Sequence, residues 1–191
     1  MSNKSEYINK YFYISSALIF ALPFAQVSGP FLSDTIVSTL AVLYIYFIIV
    51  SNREEHKNIF FLNILIFFWL YILITSIISD YRFLSFKPSI SFFRFIFFAY
   101  AFIYLARNYK KFIVNFNIAL ILCLIIVIVD GYFQFIFGEN LLGFKKLRPD
   151  RLSGLFYDEL VLGSFLSKFL PIIFFLYLHK KNFNFVKIFK I

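Results

Sequence analysis

Cysteine, histidine and charge are all scarce in this chain, and each shortage removes a class of function. A single cysteine, Cys123, lies inside an apolar run, so no internal disulfide can form and the thiol is read as core filler. The two histidines, His56 and His179, sit in short polar segments far apart, and spacing assembles neither a zinc cluster nor a Ser-His-Asp arrangement from them. No metal site and no cofactor are expected. There is no glycine-rich phosphate loop of the nucleotide-binding kind, no internal repeat and no low-complexity linker. Charged residues make up only 15% of the 191, too few for the surface of an ordinary soluble domain.

Apolar side chains fill the space left by those absences. They account for 61% of the residues, with a mean hydropathy of +0.82, which places the chain among integral membrane proteins. Phe occurs 31 times and Tyr 13 times; such rings could stack on sugars, but lipid-facing filler accounts for them and they are given no catalytic weight. A net charge of +9 would point to nucleic acid in a soluble protein. Here the cations lie between apolar runs, where membrane topology and anionic lipid explain them, and no nucleic acid partner is expected.

A helix needs about 20 apolar residues to cross the hydrocarbon. Windows of that kind recur near residues 11–30, 33–50, 59–79, 89–106, 112–137 and 160–178, which predicts an all-α polytopic bundle of six spans forming one transmembrane domain over residues 1–191. The joining segments are polar: Ser28 to Ser33, Ser51 to Asn58, Asp80 to Pro88, Arg107 to Lys111, and a longer loop over 138–159. The first span could be taken for a signal peptide, since Lys10 precedes it, but small residues near Ala25 to Ser28 are not placed for cleavage. Pro23 then becomes a kink and Pro30 a loop turn.

Cation distribution sets the orientation. With the N-terminus cytoplasmic, the inside segments hold Lys4, Lys10, Arg53, Lys57, Arg107, Lys110, Lys111, Lys180, Lys181, Lys187 and Lys190. The outside segments hold Arg82, Lys87, Lys145, Lys146, Arg148 and Arg151. The bias favours an N-in bundle with the 138–159 loop on the outer side of the membrane. Four of the outside cations lie in that one loop, against the usual bias. Solvation of a long loop is one explanation; an anionic ligand is the other.

Several polar groups lie within the spans. Arg94, a few residues into the fourth span, is expected to snorkel outward to the loops. Lys168, in the sixth, is expected to face the bundle interior near Ser164 and Ser167, with Pro171 kinking the helix below it and freeing carbonyls for the ammonium. Asp130 and Gln134 are four apart and share a helical face at the end of the fifth span. They could neutralise a cation, orient a sugar hydroxyl or hold helices together. Asp158 and Glu159 precede the sixth span, where acids suit the positive end of a helix dipole. Glu159 is assigned that role, and Asp158 is kept with Arg151 as a catalytic candidate.

Arg148 and Arg151 offer rigid forks of donors that bind phosphate oxygens in pairs and keep their charge. Cations of this kind stabilise a diphosphate leaving group electrostatically. Ser153 and Gly154 beside Arg151 permit close backbone approach, so their amides could add donors. The substrate-binding candidates are therefore Arg148, Ser153, Gly154, Lys168, Asp130, Gln134 and Arg94.

At these residues the sequence resembles the bacterial O-antigen ligase and O-antigen polymerase family. The resemblance rests on an Asp/Gln helix end (Asp130, Gln134), a G-x-N-x-x-G turn (Gly138, Asn140, Gly143) and an R-x-S-G-x-F segment leading to a G-x-x-L helix (Arg151, Ser153, Gly154, Phe156, Gly163). About forty residues carry it; elsewhere only hydropathy agrees. It implies a metal-independent, inverting glycosyl transfer from an undecaprenyl-diphosphate-linked glycan to a lipid A core sugar or to another repeat unit, in lipopolysaccharide biosynthesis. Family members have roughly twice as many spans and a later periplasmic loop with further arginines and, in ligases, a histidine. The chain is thus expected to be the N-terminal half of such an enzyme, a truncated record or a split gene product, inactive alone; His179, on the cytoplasmic side, cannot supply that histidine. Two other classes fit the composition. Half of a lipid-linked glycan flippase or exporter would gather Lys168, Asp130 and Arg94 at mid-depth, and a noncatalytic scaffold would tolerate loss of Arg151.

Overall fold

The structure, a computed structural model, describes residues 2–51, 60–109 and 111–182. These form seven α-helices: α1 (Ser2–Val27), α2 (Pro30–Ser51), α3 (Phe60–Ile78), α4 (Arg82–Ser91), α5 (Phe93–Asn108), α6 (Phe112–Phe137) and α7 (Leu162–Asn182). Four stretches are long and apolar enough to cross a membrane, namely Glu6–Val27, Pro30–Val50, Arg82–Asn108 and Phe112–Phe137, while the apolar parts of α3 and α7, Asn63–Ile78 and Leu162–Leu176, are shorter. The helices carry an apolar exterior that includes Phe31, Phe67, Ile78 and Phe137. Such a surface belongs in lipid, and the protein is an all-α, multi-pass helical membrane protein.

Local chemistry moves some boundaries from where hydropathy puts them. Pro30 makes no loop turn; it opens α2, where its missing N–H costs nothing. The connection before it shrinks to Ser28 and Gly29, with the Ser28 hydroxyl donating to the Ala25 carbonyl at 2.8 Å and Gly29 at φ 121°. Pro23 is carried within α1, which stays helical to Val27.

The larger correction concerns Asp80 to Pro88, expected to be a loop. From Arg82 onward it is α4, joined to α5 through Phe92, whose own backbone is near-helical. Ser85 reads as polar linker, yet it and Ser89 find partners inside the helical packing. Ser89 donates to the Ser85 carbonyl at 2.6 Å, Ser85 and Ser79 share a hydroxyl contact at 3.2 Å, and the Trp69 indole donates to the Ser89 carbonyl at 2.9 Å. Serines that bond back to helix carbonyls tolerate apolar surroundings.

The chain divides into two compact units, one of residues Met1–Leu18 with Asp34–Lys110, the other of Ile19–Ser33 with Lys111–Ile191. In the first, α3 packs on α4 and α5. Aromatic rings fill its interior: Tyr11 stacks on Phe47 at 4.2 Å between centroids, and Phe47 meets Tyr104 at 5.0 Å. In the second, α6 packs against α7 and against a single 3-10 turn, Gly154–Phe156. Cys123, Leu124, Val127, Phe156 and Phe165 form the core there, and Cys123 is buried as expected of filler.

Several cations used for orientation, Arg53, Lys57, Lys110, Lys187 and Lys190, lie outside the described residues, as do the side chains of Lys4, Lys180 and Lys181; His56 and the His179 side chain lie outside them too.

Candidate functional site

The segment between α6 and α7 is built around side chains that turn inward. Helix α6 ends on Gly138, which takes the left-handed conformation (φ 80°) as its amide bonds the Gln134 carbonyl. A side chain there would strain the backbone, so glycine is the natural stop. The chain then folds back, and the Lys146 amide donates to the Gly138 carbonyl at 2.8 Å.

Asn140 organises the turn so formed. Its side-chain oxygen accepts from the amides of Leu142 at 3.0 Å and Phe144 at 2.8 Å, and its side-chain nitrogen donates to the Gly154 carbonyl at 2.8 Å. Gln134 holds the other strand of the loop. Its Oε1 accepts from the amides of Ser153 at 3.1 Å and Gly154 at 2.8 Å, and its Nε2 donates to the Ser153 hydroxyl at 3.3 Å. Asp130, one turn earlier, accepts from the Leu141 amide at 3.0 Å through Oδ1. Asp130, Gln134 and Ser153 are all 0% exposed, so each bond replaces water that cannot reach these groups. Oδ2 of Asp130 is buried with no hydrogen-bond partner and faces Gly154, where an added Cβ would come within 3.3 Å.

The structure therefore brings Asp130, Gln134, Ser153 and Gly154 together and engages their polar groups within the protein, apart from Asp130 Oδ2. Of the roles open to Asp130 and Gln134, holding elements together is the one the geometry displays. Asn140 was visible in the sequence only as part of a turn motif. A buried asparagine between two turn glycines is the signal that marks it as the organiser.

With that base closed, the tip presents cations. Arg148, Pro149, Asp150 and Arg151 form a tight turn in which the Arg151 amide donates to the Arg148 carbonyl at 3.4 Å and the two arginines pair across it as an antiparallel bridge. Proline is favoured at the second position of such a turn. Side chains opposed across a bridge leave on one face, so two exposed arginines start from the same side of the turn. Neither forms an ion pair with a described residue. Like charges opposed in this way repel unless an anion joins them.

The chain leaving Arg151 forms one wall of a cleft of about 720 Å³ within the same unit. Gln26 to Pro30 face it from the α1–α2 connection, Leu155 to Glu159 from the segment after the 3-10 turn, and Ser164, Lys168 and Ile172 from α7. Lys168 corrects its expectation. It is exposed into this cleft, six residues into α7 and about 9 Å along the helix axis. The hydroxyls of Ser164 and Ser167 are engaged by helix carbonyls, of Val161 and Ser164. Helix α7 continues through Pro171. Asp158 and Glu159 also face the cleft, and both precede α7, outside its first turn. Before them, Tyr157 adopts φ 56°, a conformation rarely taken by residues with side chains, and its ring meets Phe144 edge-on at 4.7 Å.

Arg94 belongs to the first unit and does not snorkel free. Its guanidinium pairs with Asp34 at 2.8 Å, bonds the Ser38 hydroxyl at 3.3 Å, and lies 5.0 Å from the Phe95 ring centre. Asp34 was missed as a partner, although the expected orientation puts both residues near the same end of neighbouring spans. Among the described residues no group of three or more His, Cys, Asp or Glu side chains is placed to share a metal ion.

Set beside known proteins, the chain finds no match among protein-family models, curated proteins or solved structures.

Proposed function

We propose that this protein binds a polyprenyl-diphosphate-linked glycan at the membrane surface and takes part in transferring the glycan to a sugar acceptor, in the manner of the O-antigen ligases and polymerases that its loop sequence resembles. The observation that carries the reading is the Arg148–Arg151 turn: two exposed arginines opposed across a backbone bridge, without an ion-pair partner among the described residues, on a loop whose base is closed by buried hydrogen bonds. A diphosphate matches that pair in charge, and its oxygens suit the paired donors of a guanidinium. The cleft beginning at Leu155 supplies apolar wall for a lipid tail, and Lys168 adds a cation within it.

In this reading the acceptor hydroxyl attacks the anomeric carbon, the bond from that carbon to the diphosphate oxygen breaks, and the electron pair leaves with the diphosphate. Arg148 and Arg151 stabilise the charge that develops there. Asp158 takes the hydroxyl proton as general base. The loop then faces the periplasm from a bacterial inner membrane, and the acceptor is a lipid A core sugar or a growing glycan.

The test is binding of undecaprenyl diphosphate and undecaprenyl phosphate to the protein in nanodiscs. Diphosphate should bind more tightly, and Arg148→Ala with Arg151→Ala should remove about 10- to 100-fold of its affinity, the range for charge-assisted hydrogen bonds. Equal affinity for both lipids, or an unaffected double variant, refutes the reading. Restoration of surface glycan in strains lacking a ligase or a polymerase then identifies the acceptor.

A further inference from the structure

The α6–α7 loop is inside out. It buries Asn140 and Ser153 while leaving Leu141 57%, Leu142 65% and Leu147 55% exposed. In water this arrangement is unfavourable, because the apolar groups gain nothing and the polar ones need internal partners. Its apolar face follows directly in sequence on Phe135, Ile136 and Phe137, the exposed end of a helix long and apolar enough to span the membrane. Leu142 also borders an apolar hollow of about 270 Å³ walled by Phe24, Val27, Cys123 and Ile126.

Lysines flank these leucines. Lys145 is exposed, and Lys146 is half-buried with its ammonium over the Phe135 ring, 5.6 Å from its centre, at the apolar end of α6. That is how a lysine sits at a lipid–water boundary. Residues 138–151 hold Lys145, Lys146, Arg148 and Arg151 against Glu139 and Asp150, so the tip is net cationic.

We propose that Leu141, Leu142 and Leu147 dock into the headgroup layer of the bilayer and that Lys145 and Lys146 hold the loop there through anionic phospholipid headgroups. Docking fixes the height of the loop on the membrane and does not depend on what Arg148 and Arg151 bind.

The single cysteine makes this measurable. Cys123→Ala clears the chain of thiols, and Leu142→Cys or Leu147→Cys then takes a nitroxide at an exposed position. In nanodiscs containing one third phosphatidylglycerol, oxygen should relax the nitroxide more effectively than a water-soluble nickel chelate. Pure phosphatidylcholine, or Lys145→Gln with Lys146→Gln, should lower the docked-to-free ratio by about fivefold per lysine, roughly thirtyfold together. If Cys123→Ala fails to fold, Leu142→Trp with brominated lipids reports the same depth as quenching. Preferential access of the nickel chelate in both membranes overturns the proposal, as does a depth indifferent to lipid charge and to both lysines.

Discussion

Replacing Gln134 with alanine should open the α6–α7 loop without unfolding the helices. Its Oε1 accepts two backbone amides, at 2.8 and 3.1 Å, in a place with no solvent access. Removing it leaves two buried N–H groups without an acceptor, each costing about 1–3 kcal/mol, so the closed loop should lose about 2–6 kcal/mol. At 1.4 kcal/mol per tenfold, a loss of about 3 kcal/mol raises the open population roughly 150-fold. Tryptic cleavage at Lys145 to Arg151 tracks that population when closing outpaces cutting. The variant in nanodiscs should therefore be cut there about two orders of magnitude faster, with fragments assigned by mass. Gln134→Glu keeps the acceptor and should fall between the two. Unchanged cleavage with Gln134→Ala would refute the claim that these bonds close the loop.

Three further outcomes follow from the geometry. Gly154→Ala adds a Cβ 2.7 Å from Leu162 Cδ1 at φ 57° and should cost about 1–3 kcal/mol in thermal unfolding, with Leu162→Ala recovering the steric part and not the backbone part. A double-mutant cycle on Arg94→Ala and Asp34→Ala should give a coupling of about 0.5–1 kcal/mol, since Asp34 is half exposed and water screens the pair. Arg151→Ala should weaken diphosphate lipid binding while leaving the tryptic rate at Lys145 and Lys146 unchanged, because its exposed side chain takes no part in closing the base of the loop.

The membrane class was legible because burial in lipid demands long apolar runs that nothing else in the chain imitates. Residues 112–137 were delimited as a span by composition alone and are α6. The start of the fourth span was misjudged because Ser85, polar by composition, shares a hydroxyl contact with Ser79 and sits within α4, which hydropathy does not register. The sequence singled out Asp130 with Gln134, and Ser153 with Gly154, within a longer set of candidates. It could not show that their polar atoms face one another, because that depends on Asn140 and Gly138 reversing the chain. Lys168 and Arg94 mark the same limit. A helix position gives depth, whereas the surroundings come from neighbouring elements, and these differ: an open cleft for one, an aspartate from α2 for the other.

Gln134 and Asn140 anchor the two ends of the loop, and neither contacts Lys145 to Asp150 through its side chain in the hydrogen bonds described. The fold thus separates a fixed mount from an interchangeable tip. Residues could be exchanged or inserted near Pro149 while the mount keeps its geometry, which makes this segment a natural place to vary the loop on an unchanged set of helices.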